Sequence, residues 1–151
     1  MKIQLMSIAV ALAFATGAYA QSTSPRQVKN AEQDRIAAEY KAAREKCDPL
    51  QGNAKDVCQK EAKVKENVAK AELKAKDDPS PANHRKVQEA KADGDYDVAK
   101  EKCDDKKGND KDVCQKEAKA AHERAMADIK KADAKADSKT SGSGATGSGQ
   151  K

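Results

Sequence analysis

The stretch YKAAREKCDPLQGNAKDVCQKEAK, Tyr40–Lys63, returns 56 residues later as YDVAKEKCDDKKGNDKDVCQKEAK, Tyr96–Lys119, with 17 of 24 positions identical. All four cysteines lie inside the two copies, as Cys47 and Cys58 in the first and Cys103 and Cys114 in the second, each pair with ten residues between its members. The first cysteine falls at the end of a helical pattern. A break at Asp48-Pro49 follows, Gly52-Asn53 closes the turn, and the second cysteine sits early in a second helical pattern. This is the signature of a helical hairpin, used twice.

Four cysteines allow three pairings. The favoured one joins Cys47 to Cys58 and Cys103 to Cys114. An antiparallel hairpin brings the end of one helix beside the start of the next, and an internal repeat favours a bond completed within each copy. The other two pairings would tie one hairpin to the other. The expected fold class is therefore all-α, two tandem disulfide-stapled hairpins of four helices with a flexible C-terminal tail.

Working outward, the chain opens MKIQLMSIAVALAFATGAYA, a lysine and an apolar run ending in Ala18-Tyr19-Ala20. That is the pattern of a secretory signal peptide over residues 1–20, cleaved before Gln21. The run is too short for an ordinary spanning helix, and no later stretch is apolar enough to span a membrane. An exported chain with an even number of regularly spaced cysteines belongs in an oxidising compartment, periplasmic or secreted, where disulfides form and persist.

After residue 20, large apolar side chains number 14, and Tyr40 and Tyr96 are the only aromatics. Ala, Glu, Lys, Leu and Arg make up 64 of those 131 residues, a composition of long or coiled-coil helices. Basic and acidic residues nearly balance there, 29 against 25, which favours helix over disorder. With so small a core, covalent staples carry weight.

Ser24-Pro25-Arg26-Gln27 is a helix start with a capping serine, a first-position proline and a glutamine placed for a capping box. Ser80-Pro81 repeats the signal 56 residues on, giving units 24–79 and 80–136. The expected helices are 25–47, 54–76, 81–103 and 110–136. Asn53 is the expected cap of the second, with Asp56 supporting it. Inner faces read Ile36, Tyr40, Ala43, Cys47 on the first helix and Cys58, Ala62, Ala69, Leu73 on the second. The third offers Ala92, Tyr96, Ala99 and Cys103, and is interrupted by Gly94, which costs a helix about 1 kcal/mol relative to alanine. Residues 137–151 are Gly/Ser-rich and read as a disordered tail.

The chemistry-bearing residues form no recognised constellation. A zinc site usually spaces its cysteines two to four residues apart, not ten, so no metal is assigned to the cysteines, His84 or His122. A redox enzyme would favour C-x-x-C, which is absent. No serine triad, phosphate loop or H-E-x-x-H motif occurs, so no catalytic residue and no cofactor are expected. The pI near 8.9 invites a nucleic-acid reading. Interspersed acids and the lack of an aromatic platform weigh against it, and both histidines read as solvated.

The EKCD…GN.KDVCQKEAK repeat resembles short exported proteobacterial Cys-repeat helical proteins of largely unassigned function, sometimes labelled TolA-like or cell-envelope proteins. The resemblance covers the two cysteine-containing segments. It implies an exported helical protein of the cell envelope and supplies no catalytic residues. The expected function is a non-enzymatic exported helical protein, structural or partner-binding in the envelope, whose partner is an envelope protein or an anionic envelope surface. The alternative is a periplasmic metal- or redox-responsive binding protein using its cysteines.

Overall fold

The computed structural model describes residues 24–142; the expected signal peptide, residues 21–23 and the end of the tail, 143–151, lie outside the described residues. Four helices are found among them: α1 Pro25–Glu45, α2 Gly52–Asp77, α3 Pro81–Cys103 and α4 Gly108–Gly142. Short turns force neighbours antiparallel. Lys29 near the start of α1 pairs with Asp77 at the end of α2, and Arg85 early in α3 reaches Asp133 late in α4.

Each helix packs only on its neighbours in sequence, α1 on α2, α2 on α3, and α3 on α4, among the described residues. The result is an open antiparallel row, not a closed bundle. The most extensive contact is α2 against α3, between the two repeats, so the hairpins are joined through their inner helices.

Both cystines form as expected, Cys47–Cys58 with Cα atoms 5.6 Å apart and Cys103–Cys114 at 5.7 Å, within the range a disulfide spans without backbone movement. Cys47 and Cys103 are fully buried, whereas Cys58 and Cys114 are half-buried.

The helix starts follow local chemistry. The Ser24 hydroxyl accepts from the Gln27 N–H, and the Gln27 side chain accepts from the Ser24 N–H, a complete capping box. Ser80 caps α3 by accepting from the Asn83 N–H. Here the box is replaced by another device: Asn83, 5% exposed, donates to the backbone and the carboxylate oxygens of Asp78, at 2.9 and 2.7 Å, and so ties the α2–α3 turn.

Three expectations are corrected. Helix α1 stops at Glu45 rather than Cys47, because the N–H groups of Cys47 and Asp48 bond three residues back, tightening the last turn. Asn53 does not cap α2. Gly52 takes a positive φ of 55° and begins the helix, Gln51 occupies the cap position without a side-chain bond, and the Asn53 side-chain nitrogen is buried without a partner. Gly108, with φ 52°, starts α4 in the same way. The Gly-Asn pair thus serves through the left-handed backbone glycine tolerates. Helix α4 also begins before Asp110 and runs past Ala136 to Gly142, into the segment expected to be tail.

Gly94 is buried on the α2-facing side of α3, and a Cβ built there would collide with the Val64 side chain. Its cost to helix propensity is exchanged for close approach at the widest contact of the row. Val64, with Gly94 against it, therefore belongs to the face that meets α3. The α1–α2 core is Ile36, Ala62 and Leu73, all nearly buried. The second hairpin has Ala92 and Ala118 where the first has Ile36 and Ala62.

Candidate functional site

Each hairpin carries a small cleft between its two helices, and the clefts occupy equivalent positions of the repeat. The first, about 100 Å³, is lined by Ile36, Tyr40, Ala62, Glu66 and neighbours. The second, about 250 Å³, has Ala92, Tyr96, Ala118 and His122 at the corresponding places. Smaller side chains at the second account for its larger space.

The polar residue of each cleft is differently held. In the first, the Glu66 carboxylate is 8% exposed and accepts from Lys63 at 2.8 Å and Lys70 at 2.6 Å, one turn before and after it on α2. The hydrogen bond from Lys63, then that from Lys70, holds its carboxyl below the usual glutamate range despite the opposing effect of burial. Glu66 in turn raises the Lys63 ammonium above the usual lysine value. Lys63 and Arg44 also lie over the Tyr40 ring, at 5.3 and 5.9 Å from its centre.

In the second cleft, His122 stacks on Tyr96 with ring centres 5.0 Å apart, and its Nε2 lies 2.7 Å from Asp93 Oδ1. His122 is thus engaged rather than solvated, which corrects the sequence reading. His84 is exposed as expected. The 56-residue offset puts His122 on Glu66, and that offset was the signal by which both could have been found together.

A wider polar groove of about 380 Å³ runs across α1, α2 and α3 near the cystine-bearing turns, lined by Tyr40, Arg44, Asp56, Lys60, Lys63 and Glu101. Its charges are mixed. Lys60 is 3.7 Å from Glu101 across the α2–α3 contact, so the groove presents no single-sign field.

Every cysteine among the described residues is in a cystine, so the oxidised chain presents no thiol as nucleophile or ligand. No group of three or more His, Cys, Asp or Glu side chains is placed to hold a metal ion among the described residues. No helix there is long and apolar enough to cross a membrane. Two cystines fit an oxidising compartment outside the cytoplasm.

No protein-family model, no curated protein and no solved structure matches the chain.

Proposed function

We propose that this chain is a non-enzymatic exported helical protein that serves a structural or partner-binding role in the cell envelope, in the periplasm or beyond it. The observation that carries the reading is the open row itself: one layer of helices, with cystines closing its first and last turns and most charged side chains solvated. Such a layer offers long helical faces to partners and little enclosed volume to a substrate. The polar groups of its two clefts are held by neighbouring side chains, Glu66 by two lysines and His122 by Asp93 and Tyr96. The resemblance to exported proteobacterial Cys-repeat proteins and the leader pattern at residues 1–20 point the same way.

The rival reading, a metal- or redox-responsive binder, draws on the half-exposure of Cys58 and Cys114. Whole-protein mass measurement under non-reducing, metal-retaining conditions on material isolated from the envelope or the medium separates the two. A mass four hydrogens below the reduced chain beginning at Gln21, with no metal, is the expected result. Free thiols carrying zinc or copper would overturn the proposal, as would recovery of the chain in the cytoplasm with Met1 intact.

A further inference from the structure

An open row has two free sides, the outer faces of α1 and α4. By the 56-residue repeat α4 corresponds to α2 and α1 to α3, and α2 and α3 form the internal contact between repeats. The outer faces can therefore be compared, position by position, with an interface the chain already makes.

Three ion pairs cross the α2–α3 contact: Lys60–Glu101 at 3.7 Å, Lys102–Glu61 at 3.0 Å and Lys91–Glu72 at 2.9 Å. The corresponding pairs on the free faces are Lys116 with Glu45, Glu117 with Lys46, and Asp128 with Arg35. All three keep opposite signs, in the same sense, and all six side chains belong to exposed residues.

The uncharged positions change in pairs. Where Val64 lies against Gly94, the free faces have Ala120 and Ala38, so two methyl groups leave one side and a Cβ enters the other. One turn further along the antiparallel register Val68 stands opposite Ala90, and the free faces carry Arg124 opposite Asp34, again opposite charges. Two turns along, Ala71 and Val87 give way to Ala127 and Ala31. Val113, one of the few large apolar side chains left exposed, at 44%, corresponds to the half-buried Val57 of α2.

We propose that α4 of one copy docks antiparallel on α1 of a second copy, repeating the α2–α3 contact between chains. The partner is another copy of this chain, and the association is head-to-tail. Such a contact is heterologous, so it extends the row or closes a ring rather than stopping at a dimer. Because alanine takes the place of Val64 and Val87, and arginine that of Val68, charge complementarity carries much of the specificity, and the association is reversible and salt-sensitive. The exposed pairs that now hold Arg35 to Glu32 and Glu39, and Asp128 to Lys131, are the kind worth little, so exchanging them costs little. This names a partner for the binding role proposed above and rests on that reading only in requiring the oxidised fold.

Sedimentation velocity of the purified, oxidised chain at rising concentration tests it. The parent is expected to show a sedimentation coefficient that climbs with concentration and falls back in 1 M salt (about a 3 Å screening length). Reversing the α4 charges, Lys116→Glu with Asp128→Lys, or the α1 charges, Arg35→Glu with Glu45→Lys, is expected to push association to about tenfold higher concentration or more. Mixing the two variants should restore it, since each then meets a complementary face. Circular dichroism confirms that both variants stay helical. Three results would overturn the inference: a parent that stays monomeric, an α1-reversed variant that still associates alone (the mark of α1 pairing with α1), and a mixture that fails to recover. A monomeric parent would leave the non-enzymatic reading standing, while zinc-loaded thiols would sink that reading and remove the oxidised fold on which this one depends.

Discussion

Gly94→Ala tests whether close approach of α2 and α3, rather than tolerance of a weak helix position, explains the glycine. On helix propensity alone alanine should stabilise α3 by about 1 kcal/mol. The new Cβ, however, would overlap Val64 Cγ1, and Val64 is β-branched, so its methyls cannot swing aside without leaving the one rotamer a helix favours. Overpacking of this kind costs about 1–3 kcal/mol. The net expectation is therefore a loss of about 1 kcal/mol, opposite in sign to propensity. Val64→Ala alone removes two half-buried methyl groups and should cost about 1 kcal/mol. The double variant sets two alanines face to face, as Ala38 and Ala120 would be in the association proposed above. It should recover the stability lost in Gly94→Ala and approach or exceed the parent, a coupling of about 1–2 kcal/mol. Urea unfolding of the four oxidised proteins, with equal slopes required of all, measures the cycle. If Gly94→Ala by itself raises stability by the full propensity gain, or the two substitutions simply add, the close α2–α3 contact is not what holds glycine at this position.

The cystines should not matter equally. Each closes a loop worth about 3 kcal/mol in the chain-entropy account, but the first hairpin keeps Ile36 and Leu73 while the second has Ala92 and Ile129 in their places. Hydrogen exchange should therefore show Cys114→Ser deprotecting residues 81–136 more than Cys58→Ser deprotects residues 25–77, and equal loss would refute the difference. Glu66 and Glu32 both have folded-state pKa values below their ordinary range, through hydrogen bonds from Lys63 and from Arg35 respectively. Each thus stabilises the fold above the ordinary carboxylate pKa, about 4.3. That contribution is lost as pH falls through the lowered folded value. Urea midpoints measured from pH 7 to pH 2.5 should fall in acid, and Glu66→Gln should flatten the fall. Asn83→Ala removes two donors to Asp78 and should cost about 1–2 kcal/mol in the same urea assay, whereas Asn83→Asp, which carries no donor, should not restore it.

Much of the fold was legible because the repeat, the prolines and the cysteines are local signals. Ser24 and Ser80 cap where a capping serine before proline says they should, and the spacing of Cys47 and Cys58 suits one hairpin turn. What was not legible is lateral. A heptad-like stripe shows that α2 has an inner face but not that it has two, one toward α1 and another toward α3. Val64 and Val68 look like a broadened single face until Gly94 is seen lying against Val64. The same blindness hid His122. Read alone it is a polar residue on an alanine-rich helix; read against Glu66, it is the residue the cleft receives at that level of the repeat. Asn53 misled for a local reason, since asparagine is a good cap only where the preceding glycine has not already turned the chain into the helix.

The placement of the cross-links explains how so few large side chains suffice. In an open row each helix buries one stripe if it is terminal and two if it is central, so the apolar area per residue is small whatever the sequence. Order must then come from limiting how the helices pivot about their turns. All three turns of the row are tied: α1–α2 by Cys47–Cys58, α3–α4 by Cys103–Cys114, and α2–α3 by the Asn83 side chain on Asp78. The covalent ties stand at one end of the row. The hydrogen-bonded tie stands at the other, beside the helix pair with the most extensive contact. This distribution is rational, because α2 and α3 have Val64, Val87 and the Gly94 approach to hold them, while α3 and α4 meet mostly through alanine and α1 and α2 have only Ile36 and Leu73 as large buried side chains. The covalent closures thus fall on the two turns that join a terminal helix to the row, and the non-covalent closure falls on the central turn.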